Sequence, residues 1–446
     1  MSQVQPKNRD LAAPIRIGII GGGPAGLTAA LALEAYCTDA DVQITLFDKN
    51  RSAIDYPGVE YGIQARACQA LERIGLKERA LRRGVRAHQI EFYNARLRRR
   101  FRPIQSDPDN TRCVVRQEFL TDLMGLVART DIRMQHEVVR IRKANDNSVC
   151  LDISLSDGAT TTETFDAVIA CDGSFSTARR QFFPACADKI DQGFSCIYML
   201  LEADAPEQAE ERFLHLANGG TSELIMGRNS TLTLFPLGDN RLAYGIGFDH
   251  ATRARVWAEQ GVESRADWTD LRADTRRQIA TALVEDACPH DPLYRDALAY
   301  VDDWDSYKIY LWKMQDTDPL ERPYADEVNA ILIGDAAHAI LPTIGMGASL
   351  AIEDAERLGK RLAAHISRVS TPEAFRSGFH KAVAYPYAKA RVPVWFELVR
   401  RARLAAKENF IDQSTRKRFA IGPAIPNDTA SRVVSAVERV LRQVGV

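Results

Sequence analysis

Residues 15–36 read IRIGIIGGGPAGLTAALALEAY, and the change of character inside that stretch decides the fold. Arg16 to Ile20 is a short apolar run of strand type. It stops at Gly21-x-Gly23-x-x-Gly26, where glycines permit a tight turn and a close backbone approach to a ligand. Pro24 falls where the first turn of a helix needs no N–H. After that helix, residues 41–48 (DVQITLFD) alternate Val42, Ile44 and Leu46 as a second strand and end on Asp48, 22 residues past Gly26. Strand, glycine turn, helix, strand and terminal acid in this order predict a βαβ dinucleotide-binding unit. In such a unit Gly21, Gly23, Pro24, Ala25 and Gly26 line a pyrophosphate at the helix N-terminus, and Asp48 accepts hydrogen bonds from ribose hydroxyls.

The rest of the composition limits the alternatives. The chain has 446 residues, 46% hydrophobic and 26% charged, enough for two domains or one large elaborated one. Its formal net charge of −1 supplies no global field for nucleic acid or an anionic membrane, and neither partner is expected. The eight cysteines are scattered, with no C-x-x-C pair and no His/Cys spacing that suits a metal, so no metal site is expected. Reduced thiols and a polar N-terminal segment without a hydrophobic signal core predict a cytoplasmic protein. The longest charge-free run, residues 17–33, contains Gly21-Gly22-Gly23-Pro24 near its middle, which argues against a membrane span.

Downstream, residues 64–74 and 116–127 carry apolar side chains at helical spacing. Residues 137–165 read as short strands with turns at Asn145-Asp146-Asn147 and Asp157-Gly158. Ala167 to Ala170 is a buried strand running into Cys171-Asp172-Gly173, with Arg179 just beyond. From about Phe194 to Phe248 the pattern is β-rich (SCIYMLLEA, SELIMG, STLTLFPL, RLAYGIGF), and helices follow between Arg253 and Asp286. Then ILIGDAAHAILPTIGMGASLAIEDAERL, residues 331–358, repeats the strand–loop–helix pattern through Gly334-Asp335, Pro342, Gly345 and Gly347. The expected architecture is α/β: a Rossmann-like dinucleotide-binding domain with an inserted β-rich domain and C-terminal helices. Its boundaries are 14–187 and 326–400 for the nucleotide domain, with 84–106 assignable to the insertion, 188–325 for the insertion, and 401–446 for the C-terminal segment.

A single dinucleotide accounts for the first glycine loop but not for the loops at Asp172-Gly173 and Gly334-Asp335. On these three motifs, in this order and at these separations, the chain resembles the single-component flavoprotein aromatic hydroxylases, the family of p-hydroxybenzoate hydroxylase, whose GxGxxG, DGxxSxxR and GDAAHxxxPxxGxG motifs match residues 15–362. The resemblance implies that all three loops hold one FAD, in a Rossmann-like FAD-binding domain of the glutathione-reductase type carrying an inserted mixed β-sheet substrate domain. Asp335 would accept ribityl hydroxyls, Gly334 would permit close approach, and Gly345, Gly347 and Ala348 would open a helix whose N–H groups face the flavin pyrimidine. Arg116 matches a contact to the ribityl and phosphate region, and Asp172 and Arg179 match a segment used for FAD and for the nicotinamide nucleotide. Read singly, Asp335 also suits a helix cap and Asp172-Gly173 a simple turn. His338 belongs to the GDAAH loop and is expected to be structural rather than a base.

The implied reaction is hydroxylation of an aromatic or heteroaromatic small molecule by a flavin C4a-hydroperoxide, with O2 as co-substrate and NADPH or NADH as reductant. Lys49 and Arg51, beyond Asp48, favour NADPH by placing positive charge where a 2′-phosphate would lie. The chain departs from the family just before the YGIQARACQAL helix, where an arginine is common and Glu60 and Tyr61 stand here, with Arg66 or Arg51 as substitutes. The expected substrate pocket is lined by His215, Leu224, Met226, Leu232, Thr233, Phe235 and the Pro342 carbonyl, with strand register open by one residue. His215 and Pro342 are the candidate catalytic positions, His215 as a proton acceptor or, alternatively, a structural histidine. The positions matching the family's carboxylate-binding arginine, around Leu224, are apolar, which favours a less anionic substrate. The run RLRRRFR, residues 96–102, is expected to be a solvated face rather than a phosphate site. The same scaffold also supports epoxidation, oxygen insertion beside a ketone, isoprenoid reduction or halogenation, although the W-x-W-x-I-P of halogenases is absent; a non-catalytic flavin-fold binding protein is the alternative of another class. A monomer and a homodimer fit the sequence equally.

Overall fold

The computed structural model describes residues 13–37, 41–52, 58–87, 89–94, 99–100, 104–105, 111–214, 221–227, 230–301, 303–304 and 309–407. Its organising element is a five-stranded sheet in the order Ala330–Leu332, Ala167–Ala170, Ile15–Ile20, Val42–Asp48, Asp131–Met134, with every neighbouring pair parallel. A parallel sheet is covered on both faces, and its strands accordingly read as continuous apolar runs, as AVIA and AIL do here. The Pro24–Tyr36 helix is buried from Ala25 through Leu33 because it lies inside the molecule, packed against the Gly347–Ile366 helix. The helices approach so closely that a Cβ on Gly359 would come within 2.7 Å of the Ala32 Cβ. Burying each of Leu27, Leu31 and Leu33 in this core contributes about 1.5–3 kcal/mol relative to an exposed side chain.

Residues His136–Lys143, Val149–Leu155 and Thr160–Phe165 form a three-stranded antiparallel sheet on this domain. The second large body is a mixed sheet in the order Ile309–Asp316, Ile190–Glu202, Arg241–Asp249, Ser230–Gly238, Ser222–Met226, Gln89–Asn94, Arg99–Arg100. All its pairs are antiparallel except Ser222–Met226 with Gln89–Asn94. Residues 89–94 therefore leave the flavin-domain half of the sequence to complete the inserted sheet. The helices His250–Glu259 and Ala273–Ala287 cover one face of that sheet, giving a core of Ile197, Met199, Leu232, Leu234, Ile246, Trp257 and Leu283. The opposite face turns to the flavin domain, where Phe235, Leu237, Ala243, Tyr198, Leu200 and Tyr310 meet Val59, Ala87, Cys113 and Val115.

Behind the site, the Gly347–Ile366 helix carries buried acids that bind the Tyr385–Ala406 helix. Asp354, with no exposed surface, accepts from Arg391 Nε at 2.6 Å, from Trp395 Nε1 at 3.0 Å and pairs with His338 Nε2 at 2.5 Å. Glu353 pairs with Arg391 and Arg66 at 2.8 Å each. Desolvation on burial raises both acids, and Arg391 with its neighbours more than offsets it, leaving each carboxyl below its ordinary value. A charge network this deep is costly to break from one side, because the remaining charge is left uncompensated. Of the expected C-terminal segment, residues 408–446 lie outside the described residues.

Candidate active site

The three loops, the first and third of them more than 300 residues apart in the chain, meet at the carboxyl ends of three adjacent parallel strands. Gly21 packs against the second loop so tightly that a Cβ there would fall 2.3 Å from the Cys171 carbonyl oxygen, and its φ of +101° suits glycine. A Cβ on Gly26 would lie 1.8 Å from the Gly21 carbonyl oxygen, whereas one on Gly23 would meet nothing within 4 Å. The loop is thus closed against its own protein at Gly21 and Gly26 and open at Gly23, the shape a pyrophosphate cradle requires. The third loop joins it at Gly334, where a Cβ would stand 3.1 Å from that of Ala25. Neither the Pro24–Tyr36 nor the Gly347–Ile366 helix has a side-chain cap or an acid in its first turn, so their leading N–H groups, including those of Ala25 and Ala348, remain available to an anionic group.

The predicted cofactor residues divide by what their polar atoms do. Asp48 is 3% exposed and spends its carboxylate on the loops, accepting from Gly22 N at 2.6 Å and Asn50 N at 2.8 Å. Asp172 accepts from Thr177 N at 2.7 Å and Ala178 N at 3.1 Å and so caps the Thr177–Phe182 helix; burial raises its carboxyl pKa, with Ser176 and these N–H groups opposing. Asp335 stands exposed in a recess whose walls crowd its carboxyl: desolvation raises the pKa, and His338, Arg116 and Lys189 pull it back. Arg116, first residue of the Arg116–Leu126 helix, lies over the Tyr61 ring at 5.2 Å and against Gly58, and its charge reaches Glu60, Tyr61 and Asp335. Lys49 and Arg51 are exposed beyond the second strand.

Two of the expected arginines are engaged by the protein itself. Arg179 is 2% exposed, and its guanidinium donates to the carbonyls of Cys186 (2.8 Å), Ala337 (2.9 Å), Ala336 (3.3 Å) and Asp318 (2.6 Å). It staples the second loop to the third, a use of fixed donors that sequence spacing does not reveal. Arg66 pairs with Glu353. Gln64 takes over the task of joining this segment to the third loop: its N–H donates to Ser349 Oγ at 2.9 Å, and its amide donates to Ile344 and Gly345 carbonyls at 3.2 Å. Ser349 Oγ in turn donates to Gly62 O at 2.9 Å. Gly345, with φ +60° and ψ +30°, occupies the left-handed region that ends the Pro342–Ile344 turn before the helix starts.

On the mixed sheet the strand pairings align Leu224, Thr233, Gly245, Tyr198 and Tyr310 in one row across five strands. That row, with Phe235 and Met226 on the same face, looks toward the flavin domain. Leu232 is corrected to the opposite face: it is fully buried in the helix-covered core, since residues alternate along a strand and Thr233 already points the other way. The row also contains residues that sequence reading passed over. Tyr198 stacks on Tyr310 at 5.9 Å with planes 27° apart, and Tyr310 meets Trp312 edge-on at 5.9 Å. Gly245 makes room for them, because a Cβ there would lie 2.2 Å from Thr233 Oγ1 and 3.1 Å from the Tyr198 ring. Tyr198 packs as well against a cluster that includes Phe194, Cys196, Met314 and Leu341, and so do Ile340 and Ile344, which flank Pro342, so the sheet face and the third loop share one apolar seam. Pro342 is exposed there, and its carbonyl accepts from Gly345 N at 2.8 Å. His215 and most of the 96–102 run lie outside the described residues. Lys189, which the sequence reading also missed, donates to Ser174 Oγ at 3.0 Å and sits 3.4 Å above the Phe175 ring, carrying a cation to the second loop.

These residues fit FAD: an open cradle at Gly23, two uncapped helix starts and a carboxylate exposed in the recess between them. Among the described residues no group of three or more His, Cys, Asp or Glu side chains is disposed to hold a metal, and no helix is long and apolar enough to cross a membrane. Comparison with known proteins gives the same answer. Residues 15–377 match the family described as "FAD binding domain". The chain is 24% identical over 379 residues to a kynurenine 3-monooxygenase of Salinispora tropica, covering 81% of this chain and 76% of that one. It is 25% identical over 408 residues to a 3-amino-4-hydroxybenzoate 2-monooxygenase of Streptomyces cremeus, covering 88% and 87%. Among solved structures, Klebsiella pneumoniae HpxO complexed with FAD and uric acid superposes with a TM-score of 0.70 at 18% identity, over 97% of each chain. With 363 consecutive residues of this chain inside the family's span and the three loops converging on one recess, the chain belongs to the FAD binding domain family and is a flavoprotein monooxygenase of the group that includes the single-component aromatic hydroxylases.

Proposed function

We propose that this enzyme hydroxylates an aromatic or heteroaromatic small molecule held between the third loop and the mixed-sheet face, using NAD(P)H and O2. The observation that carries the reading is the row Leu224, Thr233, Gly245, Tyr198, Tyr310, an aromatic-walled face with a glycine floor, turned toward the FAD recess. Bound FAD supplies activated oxygen after reduction by the nicotinamide; one oxygen atom enters the ring and the other leaves as water. The residues do the rest. Gly21, Gly23 and Gly26 hold the pyrophosphate with Ala25, Asp335 and Arg116 hold the ribityl chain, and the Gly347–Ile366 helix start with Gly345 and Ala348 offers N–H groups to the flavin pyrimidine. Tyr198, Tyr310, Phe235 and Leu224 exclude water and stack an aromatic ring, and the Pro342 carbonyl keeps a second lone pair for a substrate donor. His215 is retained as a candidate proton acceptor from its sequence position, with Met226 and Thr233 as further lining residues.

Absence of a basic side chain among the aligned face residues supports a substrate that is not anchored by a carboxylate. Lys49 and Arg51 support NADPH over NADH. The domain division at 187/188 and 325/326, a cytoplasmic location suited to eight unpaired cysteines, and a monomeric or homodimeric state complete the reading. The test is NAD(P)H and O2 consumption by the FAD-loaded enzyme with hydrogen peroxide counted, across phenols, pyridines, quinolones and indoles. Stimulation by one class with little peroxide and a product heavier by one oxygen is the expected result. A purified protein that carries no flavin, or flavin that NADPH and NADH both fail to reduce, contradicts it.

A further inference from the structure

We propose that Glu60 reads the substrate: its carboxylate accepts a hydrogen bond, and then the proton, from a hydroxyl or N–H group on the aromatic ring, so that the site selects donor-bearing aromatics. The inference deepens the proposed function and rests on it.

Glu60 opens the Glu60–Ile63 strand at the seam between the recess and the mixed sheet. The residue before it, Val59, is packed among Phe235, Ala243, Tyr198 and Tyr310, and the Val59 backbone hydrogen-bonds the Tyr310 hydroxyl. Every element packed around its carboxyl contributes a titratable or charged group. Cys113 comes from Arg112–Val115, Cys196 and Tyr198 from Ile190–Glu202, Tyr310 from Ile309–Asp316, Arg116 from the following helix, and Tyr61 from its own strand. Burial raises the thiols and phenols, which stay protonated at neutral pH. Burial pushes the Glu60 carboxyl up to about 7, its own backbone N–H and Arg116 opposing, so it alone in this set changes charge near neutrality. Among the described residues its side chain has no hydrogen-bond partner besides that backbone N–H.

A carboxylate held in an aromatic-walled space without a protein donor is satisfied by a donor on the ligand, and such a site rejects an analogue that lacks the donor. In the step itself the ring O–H or N–H bond breaks, the proton goes to a Glu60 oxygen, and the electron pair stays on the ring heteroatom. That raises electron density at the carbon that receives oxygen; the proton returns to solvent or product afterwards. The step needs the ionised carboxylate, so it is present above about pH 7 and lost as pH falls through that value.

The test titrates FAD-loaded enzyme with matched probes, phenol against anisole, indole against 1-methylindole and 4-hydroxyquinoline against 4-methoxyquinoline, following flavin absorbance between pH 5.5 and 8.5. For at least one pair the donor-bearing member is expected to bind at least about tenfold more tightly at high pH, the size of one hydrogen bond to a charged group, with the advantage shrinking below about 7. Glu60→Gln keeps an acceptor oxygen and is expected to retain FAD and part of the preference while losing the pH dependence; Glu60→Leu is expected to lose both. Wild-type ratios near one for every pair, or an unchanged ratio in Glu60→Leu, overturn the proposal. Mass spectrometry of the product is read separately: intact ratios without ring oxygenation contradict the hydroxylase reading and not the role of Glu60.

Discussion

At the carboxyl ends of the parallel strands, position is set by the backbone: Gly26 touches the Gly21 carbonyl, Gly21 touches Cys171, Gly334 touches Ala25, and the functional groups on offer are N–H donors and one exposed carboxylate. On the mixed sheet, position is set by side chains drawn from five strands, with a glycine in the middle of the row to seat them. The first arrangement suits a cofactor of fixed shape, since no replacement of a touching glycine is tolerated. The second suits a variable substrate, since each wall residue can change without disturbing a loop. Loops positioned by a rigid scaffold carry the binding groups in both regions, but only in the first does the main chain itself make the contacts.

The sharpest way to break this comparison is Gly26→Ala. The added methyl would lie 1.8 Å from the Gly21 carbonyl oxygen, and the expected protein elutes without flavin, measured as the ratio of absorbance at the flavin and protein bands. Next in size is Arg391→Met, which strips Asp354 of its arginine behind the third loop while Glu353 keeps Arg66 and Arg357; the expected loss is about 3–5 kcal/mol in urea unfolding. It tests whether the recess depends on the buried network. Gly245→Ala is expected to leave flavin content intact and to weaken substrate binding by about 1–3 kcal/mol, because Thr233 and the Tyr198 ring must shift in a packed wall. Loss of flavin in that variant would erase the distinction between the two regions. Smallest is Lys49→Ala with Arg51→Ala, for which the NADPH-to-NADH preference is expected to fall by a factor of about 2–30, as exposed charges contribute only about 0.2–1 kcal/mol each.

What could be read from sequence follows the same division. The glycine loops were legible because a backbone contact leaves its mark on the residue that makes it: only glycine suits Gly21, Gly26 and Gly334, and their spacing survives in the chain. The mixed-sheet face was legible only in part: Leu224, Met226, Thr233 and Phe235 were expected on it, but Gly245, Tyr198 and Tyr310 join the row from strands whose register no local pattern fixes. One residue of uncertainty was enough to put Leu232 on the wrong face. The bonds of Arg179 were hidden for a different reason: its four carbonyl partners, from residues 186, 318, 336 and 337, are brought together only by the fold. Glu60 showed in the sequence only as a departure from a family arginine, and its meaning depends on Tyr198 and Tyr310, more than 130 residues away.

The three loops are expected to hold one FAD whose isoalloxazine faces the Tyr198–Tyr310 row. Difference electron density from crystals of the FAD-loaded protein decides it. The predicted result is one dinucleotide per chain, with pyrophosphate at Gly23, ribityl chain at Asp335, and ring system between the Gly345–Gly347 segment and the mixed-sheet face. A flavin ring lying outside that space, or a pyrophosphate away from Gly23, would contradict it.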